Sequence, residues 1–141
     1  MIRIFIFSYA GDAAEATACV RCARMAVPCA SVTVVDDASH PVREETAEVL
    51  RSMGAEYVQS SWERHGNLRG PDCIRGMLSE MCRDAGDDDI LVKVDCDTAL
   101  LDGGWLRWME QRRWCQMYAS GSLVDGEWMI YGCLYALRGR V

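Results

Sequence analysis

The sequence alternates between short apolar runs that are typical of buried strands and longer segments made of strong helix formers. Residues 2–8 (IRIFIFS), 31–35 (SVTVV) and 90–94 (ILVKV) are rich in β-branched side chains, which favour strands. Nearly continuous apolar runs of this length indicate strands that are covered on both faces, as in parallel sheets. The alternation therefore predicts an α/β fold with three layers, α/β/α, around a mostly parallel central sheet.

Caps and breakers mark the limits of the predicted elements. We expect a helix over residues 12–26, with Asp12 as its N-cap and Pro28 beyond its end. Pro41 would open a second helix and Gly54 would close it. The other predicted elements, in chain order, are a strand at 55–59, a polar loop at 60–72, a helix at 73–85, a helix at 105–113, and strands at 114–120 and 127–137.

Composition narrows the class of protein. The 141 residues suit a single domain, 1–141, and half of them are hydrophobic, which is enough to support a core. The net charge of −6 argues against a nucleic-acid partner, because phosphate neutralisation needs a surplus of clustered basic residues. No run reaches the roughly 20 apolar residues of a membrane-spanning helix, and the apolar amino end is too short for a signal peptide. We therefore expect a cytoplasmic protein, or one peripheral to the inner face of the membrane.

Eight cysteines are many for this length, and Cys19 and Cys22 have the CxxC spacing of zinc and redox sites. A zinc site would need a second ligand pair at similar spacing, which the sequence lacks. A redox CxxC begins a helix, whereas this one falls late in a predicted helix. We expect cysteines that serve as small core residues rather than as metal ligands or redox centres.

Polar residues follow three of the predicted strands. The first strand ends at Ser8 and Tyr9, the second at Asp36, and the fourth at Asp95 and Asp97. In open α/β sheets, ligands bind in the crevice beyond the carboxyl ends of the strands. The sequence therefore predicts a functional site where these ends converge.

Asp95 and Asp97 are the most informative pair. Two carboxylates one residue apart, just after an apolar strand, cannot both be buried without a cation between them. Their hard oxygen ligands suit Mn²⁺ or Mg²⁺, which complete their shells with water and substrate phosphates. The alternative is a pair of solvated turn acids. Strand alternation also puts Lys93 on the face of Asp95, either as its ion-pair partner or as a solvated lysine at a strand edge.

Three motifs occur in a fixed order: Asp36-Asp37-Ala38-Ser39 after the second strand, the loop 66–70 (GNLRG), and Asp95-Cys96-Asp97 after the fourth. This ordered set resembles the GT-A glycosyltransferases, especially the family 2-like members of the nucleotide-diphospho-sugar transferase superfamily. The similarity covers residues 2 to 105. It implies a GT-A-type sheet and a metal-dependent glycosyltransferase, or its donor-binding portion, that uses a nucleoside-diphosphate sugar.

The resemblance also implies a role for individual side chains. Asp36 would accept hydrogen bonds from the nucleotide base, and Arg69 would pair with the diphosphate. Bound Mn²⁺ or Mg²⁺ would neutralise charge on the leaving nucleoside diphosphate. Ordinary structural roles remain open for each of these residues, as turn acid, core-edge aromatic or solvated loop arginine. Nucleotide contacts are implied for Ser8, Tyr9, Asp36, Arg69 and Asp95, and metal contacts for Asp95 and Asp97.

The chain departs from the family pattern at its carboxyl end. Family members normally continue beyond the last predicted strand into an acceptor site that carries the general base, so no catalytic residue is assigned. We expect an excised domain, a compact variant whose acceptor site is completed by a second copy or another partner, or an inactive nucleotide-sugar-binding module. The acceptor would be a glycan, a lipid or a protein. A nucleotidyltransferase is less favoured, because Ala10-Gly11-Asp12 lacks the basic glycine-rich loop of that class.

Overall fold

A computed structural model of the chain describes residues 1–63 and 70–139, apart from the side chains of Trp128, Ile130 and Tyr131. None of the helices in these described stretches has the length and apolarity needed to cross a bilayer. The strands are β1 (Ile2–Ser8), β2 (Ser31–Asp36), β3 (Glu56–Gln59), β4 (Ile90–Asp95), β5 (Met117–Val124) and β6 (Glu127–Arg138). The helices are α1 (Ala13–Ala26), α2 (Glu44–Ser52), α3 (Pro71–Cys82) and α4 (Gly104–Glu110).

The strands form one sheet in the order β3-β2-β1-β4-β6-β5. β1 to β4 are parallel, whereas β6 runs antiparallel to β4, and β5 pairs antiparallel with β6 at the edge. The order reverses at β1, which lies between β2 and β4, so a crevice is expected beyond the carboxyl ends of these strands. Ser8 is in register with Asp36, and Phe7 is in register with Asp95. The polar residues that end three strands thus lie along one edge.

Helices cover both faces of the sheet. Ile4 and Ile6 of β1 belong to a core that includes buried residues of α1, α2 and α4. Phe5 and Phe7, which alternate with them, belong to a second core with α3. Successive side chains of a strand point to opposite faces, so an unbroken apolar strand requires a helix layer on each side. The predicted three-layer α/β/α arrangement is confirmed.

Two helix starts differ from the sequence-based prediction. α2 begins at Glu44 rather than at Pro41, because the Val42 N–H donates to Asp36 Oδ2 (2.7 Å) and Arg43 is extended. Asp12 occupies the N-cap position of α1, but its side chain does not cap the helix. The Asp12 carboxylate instead accepts a hydrogen bond from the Cys96 thiol (2.8 Å). In both cases a contact with a distant strand end replaces the local pattern.

Two later elements also begin at other residues than predicted. α3 starts at Pro71, inside the predicted loop, with proline in the first turn, where its missing N–H costs nothing. β5 starts at Met117 rather than at Trp114, because a turn in which the Cys115 N–H bonds the Arg112 carbonyl (2.8 Å) comes first. The identity and order of the elements are as predicted, so these differences leave the topology unchanged.

Arg138 at the end of β6 is almost fully buried and holds the segment after α4 in place. Its guanidinium donates to the carbonyls of Met109 (2.5 Å), Cys115 (3.2 Å), Arg112 (3.3 Å) and Asp88 (3.4 Å). Several of these carbonyls lie near the end of α4, where backbone acceptors have no partner within the helix. The side chain therefore ties α4 to the last strand of the sheet.

We predict that Arg138→Leu lowers the free energy of unfolding by about 2–4 kcal/mol, because it removes four hydrogen bonds to backbone carbonyls, of which those to Met109 and Cys115 are buried. Urea denaturation followed by circular dichroism measures the change. Arg113→Leu is the matched control, since the Arg113 side chain is 78% exposed, and it should change stability by less than about 0.5 kcal/mol. Equal effects of the two substitutions would contradict this role of Arg138.

Candidate functional site

Asp36 organises the edge of the sheet at the ends of β1, β2 and β3. It is 1% exposed, and its Oδ1 accepts a hydrogen bond from Ser8 Oγ (2.9 Å). Oδ2 accepts from the Val42 N–H (2.7 Å) and from the Tyr57 hydroxyl (2.5 Å). Burial, aided by the hydrogen bond to Asp36, raises the pKa of Tyr57 well above its usual value. The phenol therefore remains a donor to the Asp36 carboxylate over the ordinary pH range.

The loops after β1 and β2 are joined to each other. The Ala10 N–H donates to the His40 carbonyl (2.7 Å), and the His40 N–H donates to Asp37 Oδ2 (3.0 Å). Tyr9 is half-buried, and its ring lies against Gly11, where an added Cβ would come within 2.9 Å of ring atoms. A side chain at position 11 would have to displace this ring. The structure thus brings Ser8, Tyr9 and Asp36 to one place, as the sequence predicts.

Trp62 covers the crevice beside this group. It lines a small pocket with Ser8, Asp36 and Asp37. Its ring lies 6.2 Å from the Phe7 ring, centroid to centroid, and packs against Gly76 of α3. An added Cβ at Gly76 would lie 2.5 Å from the Trp62 ring, so the close approach of α3 requires glycine. Trp62 and Tyr57 are not predictable as site residues, because nothing in the local sequence pattern indicates that either reaches these strand ends.

Asp95 lies at the end of β4 on the α3 face, where Lys93 is its neighbour. Lys93 Nζ is 2.5 Å from Asp95 Oδ1 and also donates to the Gly132 carbonyl of β6. The Lys93 side chain is 4% exposed and that of Asp95 is 23% exposed. Of the two alternatives for Lys93, the ion pair is therefore the one that the structure adopts.

Lys93 and Asp95 form the polar end of a pocket of about 350 Å³. Its apolar part comes from Ile74 and Met77 of α3, and Tyr135 of β6 completes the wall. Burial, with a smaller contribution from the Asp95 carboxylate, raises the pKa of Tyr135 to about 12. The pocket therefore offers an ammonium, a carboxylate and a neutral phenol to a ligand.

Asp97 is exposed and lines a different pocket of about 140 Å³, on the α1 face, together with Cys19 and Cys22. Burial raises the pKa of the Cys19 thiol to about 12, and the nearby Cys22 and Asp97 add to that effect. The thiol donates to the Thr98 carbonyl (3.3 Å). Cys19 is thus a protonated core residue, as predicted, whereas Cys22 is half-buried and Cys29 and Cys82 are exposed, so the prediction of core cysteines does not hold for all of them.

The structure places the two acids of the Asp-x-Asp motif in different pockets, Asp95 on the α3 face and Asp97 on the α1 face. Among residues 1–63 and 70–139 there is no cluster of three or more His, Cys, Asp or Glu side chains that could hold a metal ion. Two carboxylates fit Mn²⁺ or Mg²⁺ when phosphate oxygens and waters supply the other ligands. The donor chemistry of Asp95 and Asp97 therefore fits the divalent metal that the resemblance implies.

Arg69 and most of the loop 66–70 lie outside the described residues, and so does His65. Gly70, the last residue of that loop, is described. It has a φ of 88° and precedes the first turn of α3. A residue with a side chain is strained at this backbone angle, so the entry to α3 requires glycine at this position.

Trp105, Trp108 and Trp114 form an aromatic group with Tyr118, away from these strand ends. Trp105 stacks on Tyr118 (5.0 Å between ring centroids), and Trp108 contacts both Tyr118 and Trp114. Trp105 also packs against the core that contains α1, on the opposite face of the sheet from the pocket at Lys93. These aromatic side chains pack α4 against β5, and they do not line the pocket at Lys93 and Asp95.

Comparison with known proteins identifies the fold. No family model and no curated protein matches the sequence. Among solved structures, the galactosyltransferase LgtC, in complex with donor and acceptor sugar analogues, matches with a TM-score of 0.62 and 17% identity over 99% of this chain. A mannosyltransferase from Pyrobaculum calidifontis, in complex with GDP-Man and Mn²⁺, matches with a TM-score of 0.54 and 15% identity over 97% of the chain.

A third match is the glycosyltransferase GlyE of Streptococcus pneumoniae TIGR4, with a TM-score of 0.51 and 10% identity over 99% of this chain. The chain spans 58%, 44% and 34% of the lengths of LgtC, the mannosyltransferase and GlyE. At these identities the likeness concerns the fold alone. The chain has the GT-A glycosyltransferase fold.

Proposed function

We propose that this protein is a metal-dependent glycosyltransferase, or the donor-binding portion of one, that uses a nucleoside-diphosphate sugar. The observation that carries the proposal is the convergence of Ser8, Asp36 and Asp95 at one sheet edge, next to the point where the strand order reverses. In α/β sheets this crevice is where nucleotides bind. The solved mannosyltransferase of this fold holds GDP-Man and Mn²⁺, which supports the same ligand classes here.

The nucleoside end of the donor would lie at the group formed by Ser8, Tyr9 and Asp36. Asp36 Oδ1 accepts one hydrogen bond, from Ser8, so it retains capacity for a second from a base N–H. Tyr9 would flank the base or ribose. The three hydrogen bonds to Asp36 fix the direction of its carboxylate in advance, which lowers the entropic cost of binding.

The diphosphate end would lie at Asp95 and Asp97, with Arg69 as a candidate cation. Asp97 would be the more direct metal ligand, since it is exposed, and Asp95 would lie toward the ribose and the metal. When bound, Mn²⁺ or Mg²⁺ would act as a Lewis acid on the departing nucleoside diphosphate. The pocket of about 350 Å³ at Asp95 would receive the sugar, because it adjoins the proposed diphosphate position.

We place the reaction in the cytoplasm or at the inner face of its membrane. No disulfide joins any of the eight cysteines, all of which lie in the described stretches, and this agrees with a reducing compartment. The acceptor would be a glycan, a lipid or a protein. A second copy or another partner would complete the acceptor site.

We predict that a nucleoside diphosphate binds only with Mn²⁺ or Mg²⁺, because the metal screens the diphosphate from Asp95 and Asp97. Isothermal calorimetry with a panel of nucleoside diphosphates, each with and without Mn²⁺, measures this. Asp97→Ala should weaken binding by at least about tenfold, as expected when a metal ligand is lost. Asp87→Ala removes an exposed acid near the opposite sheet edge and serves as the matched control.

Absence of binding across the panel, or an Asp97→Ala variant that binds like the control, would contradict the proposal. Binding alone does not distinguish an enzyme from an inactive module of the same fold. Release of sugar from the donor, followed by product analysis after incubation with the metal, separates the two. Binding without release or transfer of the sugar would indicate an inactive nucleotide-sugar-binding module.

We predict that Tyr57→Phe weakens the same nucleotide binding by about threefold to tenfold, because the hydrogen bond orients Asp36 and part of its roughly 1.5–3 kcal/mol is lost from binding. Calorimetry with the nucleotide selected from the panel measures the effect. Tyr118→Phe is the control, since Tyr118 lies in the aromatic group against α4. An unchanged affinity in Tyr57→Phe would mean that the hydroxyl does not prepare Asp36 for the nucleotide.

A further inference from the structure

Lys93 is a charged residue in the middle of an otherwise apolar strand that helices cover on both faces. Burying an ammonium is unfavourable unless the charge is paired and its protons are bonded. Lys93 meets this condition through Asp95 Oδ1 at 2.5 Å and through the Gly132 carbonyl. The Tyr135 ring, with its centroid 5.9 Å from Nζ, lies on a further side. The fold thus provides the Lys93 ammonium with a carboxylate, a carbonyl acceptor and an aromatic ring as neighbours.

The roles proposed above do not use Lys93, although it touches one of the two proposed metal ligands. The Lys93 ammonium contacts Asp95 Oδ1, an oxygen that would otherwise be available to bind a metal ion. A divalent ion that binds Asp95 must either displace the ammonium or remain close to it. Like charges at such distances repel strongly where water is scarce.

The charges of Lys93 and Asp95 decide which ligands their pocket prefers. The two charges cancel each other, and Asp97 lies exposed in a different pocket. A divalent ion alone would add two positive charges to this neutral pair. An ion that arrives with a diphosphate adds negative charge as well, and the phosphate oxygens can pair with the ammonium. Without Lys93, the carboxylate of Asp95 would attract a divalent ion directly.

We propose that Lys93 is a built-in counter-ion that holds Asp95 in the ligand-free protein, so that a divalent cation binds tightly only together with a diphosphate. This inference rests on the proposed function and deepens it. Lys93 acts on the metal through Asp95 and is therefore a positioning residue. Its effect is to couple metal binding to donor binding, which keeps the acid pair from holding a metal ion without substrate.

The test compares Mn²⁺ binding to the full chain and to Lys93→Met, with free Mn²⁺ measured by electron paramagnetic resonance. With Mn²⁺ alone, Lys93→Met should bind at least about tenfold more tightly than the unchanged protein, because a neighbouring positive charge is gone. The double variant Lys93→Met/Asp95→Asn should lose this gain. Arg113→Met removes one positive charge from an exposed position and should leave Mn²⁺ affinity unchanged.

The inference is overturned if Lys93→Met binds Mn²⁺ alone with an affinity within about twofold of that of the unchanged protein. The positive charge of Lys93 would then not oppose the cation. Thermal unfolding by circular dichroism verifies that each variant is folded. If Lys93→Met is unfolded, Lys93→Gln decides, because it removes the charge and keeps a polar side chain. Lys93→Arg, which keeps the charge, should bind Mn²⁺ as weakly as the unchanged protein.

The outcome is separable from that of the proposed function. Failure of every nucleoside diphosphate to bind the unchanged protein with Mn²⁺ contradicts nucleotide binding. The comparison of Lys93 variants with Mn²⁺ alone uses no nucleotide, so it tests the counter-ion by itself. If the unchanged protein binds Mn²⁺ alone as tightly as it does with a bound nucleoside diphosphate, the coupling is overturned while nucleotide binding stands.

Discussion

Burial of β1 and β4 on both faces is the constraint on which the rest of the structure depends. Ile4 and Ile6 require one helix layer, and Phe5 and Phe7 require the other, so β1 has no solvent-facing side. Polar side chains on such strands are tolerated mainly at the strand ends, where loops and water can satisfy them. Parallel pairing then puts the ends of β1, β2 and β4 at one edge. The same requirement that builds the core therefore brings the candidate site residues together.

The polar side chains that lie in the buried region have hydrogen-bond or ion-pair partners. Asp36 accepts three hydrogen bonds, and Lys93 pairs with Asp95 and a carbonyl. Such arrangements cost desolvation energy and bring little net stability compared with an apolar core. Their position beside the crevice fits the proposed function, because buried, oriented charges can recognise a charged ligand without further reorganisation.

Much of the fold follows from the sequence, because an unbroken apolar run and a helix cap act over short distances. The start of α2 and the role of the Asp12 side chain could not be predicted from the sequence. The first depends on the contact of Val42 with Asp36, and the second on the contact of Asp12 with Cys96, both at distant strand ends. The site was predictable as a set of strand ends. The partnership of Tyr57 with Asp36 depends on the pairing of β2 with β3, which no local pattern records. Strand alternation placed Lys93 beside Asp95 but did not decide between an ion pair and a solvated lysine.

The central claim is that the acids at the end of β4 bind the diphosphate of a donor through a metal. A crystal structure of the protein soaked with Mn²⁺ and UDP tests it most directly. The account predicts a metal ion that bridges Asp97 and the diphosphate, with the base near Asp36 and Ser8. A nucleotide bound away from these strand ends, or a metal bound without contact to Asp97, would contradict it.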